Sequence, residues 1–223
     1  MCAKELSDSE SEMKQYQLLF NNYTKTILSI RARYLAAQML MKDNPRQAQK
    51  YFEHIISNNP DTDYAIASEY YLGVLKLNEY RDAEIFPNSK KHEIEIAFRH
   101  YLTKAPQGRL ALNVITNWLS LDTEIYKDDY LLMANTYYLF SDYENAKKML
   151  AKTDIQESWV LDAKTSYATK NYNRARSVIA EGLQKYAGYV STDDIYDVVN
   201  IYMQLSNSKT ADINYLYNIS APK

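Results

Sequence analysis

Glycine and proline are scarce, with four of one and five of the other in 223 residues. A β-sandwich or barrel of this length needs many tight turns, and these two residues supply most of them, so their shortage excludes such folds. Cysteine is scarcer still. The single Cys2 rules out an internal disulfide and a cysteine-based zinc site within one chain. Neither sign of charge predominates: 26 basic and 28 acidic residues, mixed along the chain, give a net charge of −2. That leaves no long-range field to attract nucleic acid or an anionic bilayer. No apolar run approaches the roughly eighteen residues that a membrane-spanning helix needs, and the opening MCAKELSDSESE has no basic and hydrophobic signal region. The chain therefore reads as soluble, with no nucleic-acid partner and no membrane-spanning segment.

Signatures of chemistry are equally thin. A phosphate-cradling glycine loop, an HExxH pattern and a GxSxG elbow are all missing from the sequence. Of the three histidines, His54, His92 and His100, the last two could share a helix, but their spacing puts them about 12 Å apart along its axis, too far to bind one metal ion. The pair Glu157-Ser158 resembles the general-acid motif of lytic transglycosylases, yet nothing downstream resembles the Gly-Leu-Met-Gln stretch that accompanies it there. Asp154, three residues ahead of Glu157, offers a structural account as a capping box opening the helix that contains Trp159, and Ser141 with Glu144 repeats the device. The reading is of a protein that is not an enzyme and needs no cofactor and no metal.

What the chain has is helical periodicity and tyrosine. From Met13 to Lys42, apolar residues such as Tyr16, Leu19, Phe20, Tyr23, Ile27 and Ile30 step by three and four, with Asn21-Asn22 as the expected break. Asn44 is placed to cap a helix over 45–58 that opens on Pro45. The 22 tyrosines suit half-exposed positions along a shallow groove, where the ring packs and the hydroxyl stays at the edge. Residues 1 to about 10, which run into SDSESE, read as a disordered acidic tail. Residues 11–223 read as a single helical-repeat domain.

Recurrence is clearest between Lys127 and Thr169. Ala134 stands twelve residues before Ala146, and Ala163 twelve before Ala175; a close helix crossing needs such a small side chain, with large residues around it. In an earlier hairpin, Ala36, Ala48, Phe52 and Pro60 fall at the small, small, aromatic and terminal-proline positions of the tetratricopeptide repeat, which the chain resembles. Leu72-Gly73 looks like that motif's Leu-Gly pair, and Ala97, Tyr101 and Pro106 resume the spacing after EYRDAEIFPNSKK, expected as an inserted loop of about a dozen residues. Helix 109–121 has no evident partner. Hairpins over 127–152 and 155–186, a helix over 192–205 and a partial one over DINYLYNIS complete the chain. Its last helix is unpartnered, which fits either a fragment of a longer protein or an end that docks on something.

The resemblance implies an all-α, right-handed α-solenoid of about five irregular helical hairpins. It further implies a non-catalytic scaffold or adaptor that holds a protein or peptide segment on its concave surface. In that register Asn135, Tyr138, Lys164 and Tyr167 project inward as partner-binding residues, free of packing duty, while Leu131 and Val160 stand where a carboxylate-clamping basic residue would be. A second resemblance rests on IAFRHYLTKAPQGRLAL, DYENAKKML and NYNRARSVI, which look like helical-repeat regions of bacterial soluble lytic transglycosylases and of envelope assembly lipoproteins. It implies a non-catalytic superhelical domain of a cell-wall enzyme or envelope complex. Under it Cys2, directly after Met1, is a lipid anchor and the compartment is the bacterial cell envelope or periplasm. An ordinary tail cysteine gives the same sequence and leaves the compartment open.

Overall fold

The structure, a computed structural model, describes residues 3–206 apart from Lys25 and Phe86. Among these residues it is all-helical, with no strand. Cys2 and the helix expected over DINYLYNIS lie outside the described residues. Contacts group the chain into two compact units, Met1–Thr123 and Glu124–Lys223, a division absent from the reading of one domain from residue 11 onward. The first unit contains α1 (Ala3–Asn22), α2 (Ile27–Asp43), α3 (Pro45–Asn58), α4 (Asp63–Asp82), α5 (Asn88–Lys104) and α6 (Ala111–Leu119). The second contains α7 (Lys127–Leu139), α8 (Tyr143–Leu150), α9 (Ser158–Ala168), α10 (Tyr172–Tyr186), a 3-10 turn and α11 (Thr192–Ser206).

Short oxygen-bearing side chains start many of these helices. Thr26, Asn44 and Thr62 accept from the amides of Ser29, Gln47 and Ala65, and Asp142 and Asn171 accept from those of Asn145 and Arg174. Each cap satisfies an amide that the helix itself leaves without a partner. Asn44-Pro45 thus works as the sequence predicts, whereas the two expected capping boxes do not form. Ser141 adopts a left-handed conformation, φ 60°, which hands the capping role to Asp142. Asp154 instead pairs with Lys127 at 2.5 Å, and α9 opens with no side-chain cap.

Other boundaries also shift. Helix α1 runs through residues 3–10, expected as a tail, because SDSESE lacks glycine and proline and the apolar turns around Tyr16 and Phe20 propagate helix back through it. The expected dozen-residue insertion shrinks to residues 83–87, with α4 and α5 extended into it. Cross-hairpin contacts hold those extra turns: Lys76 pairs with Glu93, and the Lys91 ammonium lies over the Tyr80 ring at 5.1 Å. Helix α6 finds its partners in α5 and α4.

Within each unit sequential helices pack on one another, and alternate helices touch as well: α2 with α4, α4 with α6, α7 with α9, and α9 with α11. The alanines singled out by spacing are fully buried, Ala36 and Ala48 in the first unit and Ala134, Ala146, Ala163 and Ala175 in the second, although Ala48 packs with Ala37 and Phe52 while Ala36 packs with Phe20 and Ala32. The two hairpins of the second unit also share a turn. The amides of Asp142 and Asn171 bond the carbonyls of Tyr137 and Ser166 at 2.9 and 2.8 Å, closing Schellman-type ends around Ser141 and Lys170, φ 60° and 59°. Alanines, turn residues and caps all recur at a separation of 29 residues.

Tyrosine turns out to build core as well as surface. Phe52 stacks on Tyr71 at 5.4 Å, Tyr34 meets both rings edge-on, and Tyr70 extends the chain of rings to Phe98 and Tyr101. Buried hydroxyls are tolerated here because donors reach them. Gln38 Nε2 donates to Tyr71 at 2.7 Å, Asn117 Nδ2 to Tyr70 at 3.0 Å and the Leu110 amide to Tyr101 at 3.2 Å. Tyr70 and Tyr101 are only 4% exposed, against the expectation of half-exposed groove positions.

Burial pushes the Tyr34, Tyr70 and Tyr101 hydroxyls above the ordinary tyrosine range, Tyr70 to about 12. The unfolded chain loses these protons near pH 10 while the folded chain keeps them, so their contribution to stability is complete below about pH 10 and is lost as pH rises through the folded values. Absorbance of tyrosinate near 295 nm is therefore expected to lag the model-compound curve and to rise with unfolding above about pH 10. A curve matching free tyrosine in a still-folded protein would contradict the ring cluster.

Glycine is needed at Gly182, where a Cβ would lie 2.2 Å from Trp159 Cε3. Gly182→Ala should lose roughly 1–3 kcal/mol in urea melts, because the buried indole must move. Gly188, where an added Cβ meets nothing within 4 Å, should accept alanine within about 0.5 kcal/mol.

Candidate functional site

An open groove of about 530 Å³ lies in the second unit, walled by α7, by α9 and by the residues that lead into α11. Three of the four residues expected to face a partner line it: Asn135 and Tyr138 from α7, and Lys164 from α9. Their helical spacing explains the convergence, since positions three apart on α7 share a face and α7 packs on α9. Leu131 and Val160 line the same groove, so its wall is apolar at the two places where a carboxylate-clamping cation was considered.

Tyr167 is not among the lining residues. One turn beyond Lys164, its hydroxyl donates to Gln204 Oε1 of α11 at 2.6 Å and its ring packs on Tyr172 at 5.8 Å. Lys164 is not free either. Its Nζ lies 2.7 Å from Asp197 and 3.2 Å from Asp194, and its side chain is 19% exposed. Burial opposes the charged ammonium, but the bonds from Asp197 and Asp194 outweigh that and raise its pKa. Tyr138 packs on Tyr143 at 5.7 Å, and burial raises its hydroxyl pKa although the Lys164 charge pulls the other way. Packing duty therefore falls on Lys164 and Tyr167, because α11 lies against α9 and brings its carboxylates and Gln204 with it, and on Tyr138 through Tyr143 of α8.

Acidic groups edge the groove. Asp128, Glu157 and Asp194 all line it, and among the described residues Lys164 is the sole lining cation, already neutralised by its two aspartates. Glu157, the residue resembling a general acid, is exposed there. The histidines are spread elsewhere: His92 faces Glu95 at 3.2 Å and His100 contacts Glu69. Among the described residues no group of three or more His, Cys, Asp or Glu is placed to hold a metal ion, and no helix is long and apolar enough to cross a membrane.

The Lys164 pairs are half-open to water, so each contributes modestly. A double-mutant cycle between Lys164→Met and Asp197→Asn should give a coupling of about 0.5–1 kcal/mol at neutral pH. Because the folded ammonium has the higher pKa, this contribution is complete below the unfolded lysine value near 10.4 and disappears as pH rises through the folded one. Zero coupling in chemical melts would mean that α11 does not hold Lys164. No protein-family model, curated protein or solved structure matches the chain.

Proposed function

We propose that the protein is a non-catalytic scaffold, its hairpins forming tetratricopeptide-like repeats of a right-handed α-solenoid, and that a polypeptide segment lies in the groove of the second unit. The observation that carries this reading is the convergence of Asn135, Tyr138 and Lys164 on one groove with an apolar wall. The contacts between alternate helices support the repeat arrangement.

The groove's chemistry specifies the occupant. Asn135 carries an amide that both donates and accepts, and so matches an extended backbone. Leu131 and Val160 offer area to an apolar side chain, and the Tyr138 ring adds contact at low entropic cost. The carboxylates of Asp128 and Glu157 favour a lysine or arginine next to that apolar residue. The segment is therefore an apolar sequence flanked by basic residues.

Selection from a random-peptide library against the full chain tests this. Peptides that bind should share that pattern, and Leu131→Glu or Asn135→Ala should weaken them about tenfold or more while melting as the parent does. Groove variants that fold normally and bind the selected peptides with parental affinity would overturn the reading, as would a selection that yields no binder.

A further inference from the structure

A second cavity, of about 410 Å³, opens in the first unit where α1, α2 and α3 meet, and every charge that lines it is positive or can become so: Arg33, Lys50 and His54. Phe20 and Tyr51 form its aromatic side, packed edge to face at 5.3 Å. Lys50 and His54 are one turn apart on α3, which puts both on one face.

Arg33 is the centre of the case. Its guanidinium lies over the Phe20 ring at 4.7 Å, and its Nε is buried without a hydrogen-bond partner among the described residues. Arg33 as a whole is only half-buried, but a guanidinium nitrogen shut off from water ordinarily finds an acceptor, because an unmade hydrogen bond there is costly. This chain supplies such an acceptor elsewhere: Arg174 donates from Nε and Nη2 to the two oxygens of Asp162, at 3.2 and 2.6 Å. Arg33 has the same fork, and among the described residues no acid lines its cavity. Burial accordingly lowers the Arg33 pKa, and burial together with the Arg33 charge lowers that of His54.

We propose that this cavity binds a small organic oxyanion, a phosphate monoester or a carboxylate, with the Arg33 fork as its bidentate anchor and Lys50 and His54 as supporting donors. An oxyanion supplies the acceptor that Arg33 Nε lacks, and guanidinium matches phosphate and carboxylate oxygens in a planar, two-bond geometry. The volume exceeds that of a bare ion, and the amides of Gln17 and Gln47 in its wall can bond polar groups on the rest of the ligand.

Calorimetry on the full chain at constant ionic strength tests the site with phenyl phosphate, benzoate and the neutral analogue phenol. At least one anion is expected to bind saturably and more tightly than phenol, and Arg33→Gln should weaken it about tenfold or more. The exposed pair Lys50→Gln with His54→Gln, which spares the guanidinium, should weaken it several-fold. In the parent protein, nuclear magnetic resonance should show the His54 titration moving to higher pH when the anion is added, since a negative charge beside Arg33, Lys50 and Tyr51 favours the imidazolium. Preference for phenyl phosphate assigns a phosphorylated ligand, and preference for benzoate a carboxylate. Absence of saturable anion binding, equal binding of phenol, or parental affinity in either folded variant overturns the proposal.

Discussion

Helices in this protein approach one another as closely as a methyl group allows, and much of the remaining architecture follows from that constraint. Ala36, Ala48, Ala134, Ala146, Ala163 and Ala175 are fully buried, so the axes on either side of them converge and neighbouring large residues are driven into the flanking spaces. At Gly182 even a methyl is too much, and the Trp159 ring lies against bare backbone. Close crossing makes the packing unforgiving of volume changes. It also brings the next helix but one within reach, which is why α9 touches α11 as well as its hairpin partner.

The two units solve the burial of polar atoms differently. In the first, tyrosine hydroxyls enter the core and amide groups of Gln38, Asn117 and the Leu110 backbone follow them in. In the second, ion pairs near the surface join Lys164 to two aspartates of α11 and Arg174 to Asp162, beside the neutral bond from Tyr167 to Gln204. A neutral network resists water well but specifies geometry strictly, since each hydroxyl needs its donor. The ionic contacts are looser and respond to salt, and the Lys164 pairs border the groove.

Local patterns were the legible part of the sequence. The alanine spacing picked out buried positions, and Asn44-Pro45 marked a helix start. What could not be read depended on partners distant in the chain. Lys164 looked free because Asp194 and Asp197 are some thirty residues away and nothing local says that α11 lies on α9. Tyr167 was misplaced for the same reason, its hydroxyl being claimed by Gln204. The capping boxes failed through competition, a left-handed Ser141 displacing one and Lys127 drawing Asp154 from the other. Arg33 carried no signal at all, since the lack of a carboxylate around it becomes visible only once α1, α2 and α3 are assembled.

The repeated turn in the second unit has a consequence for how this chain tolerates changes of length. Ser141 and Lys170 end their helices in the same left-handed conformation, and the caps and crossing alanines recur with them at an interval of 29 residues. A hairpin inserted or removed as a whole block of that size keeps every cap beside its amide and every alanine at its crossing. A block one or two residues longer or shorter rotates all that follows by about 100° per residue and turns core positions outward. Length variation in this part of the protein is therefore quantised, with the hairpin as its unit.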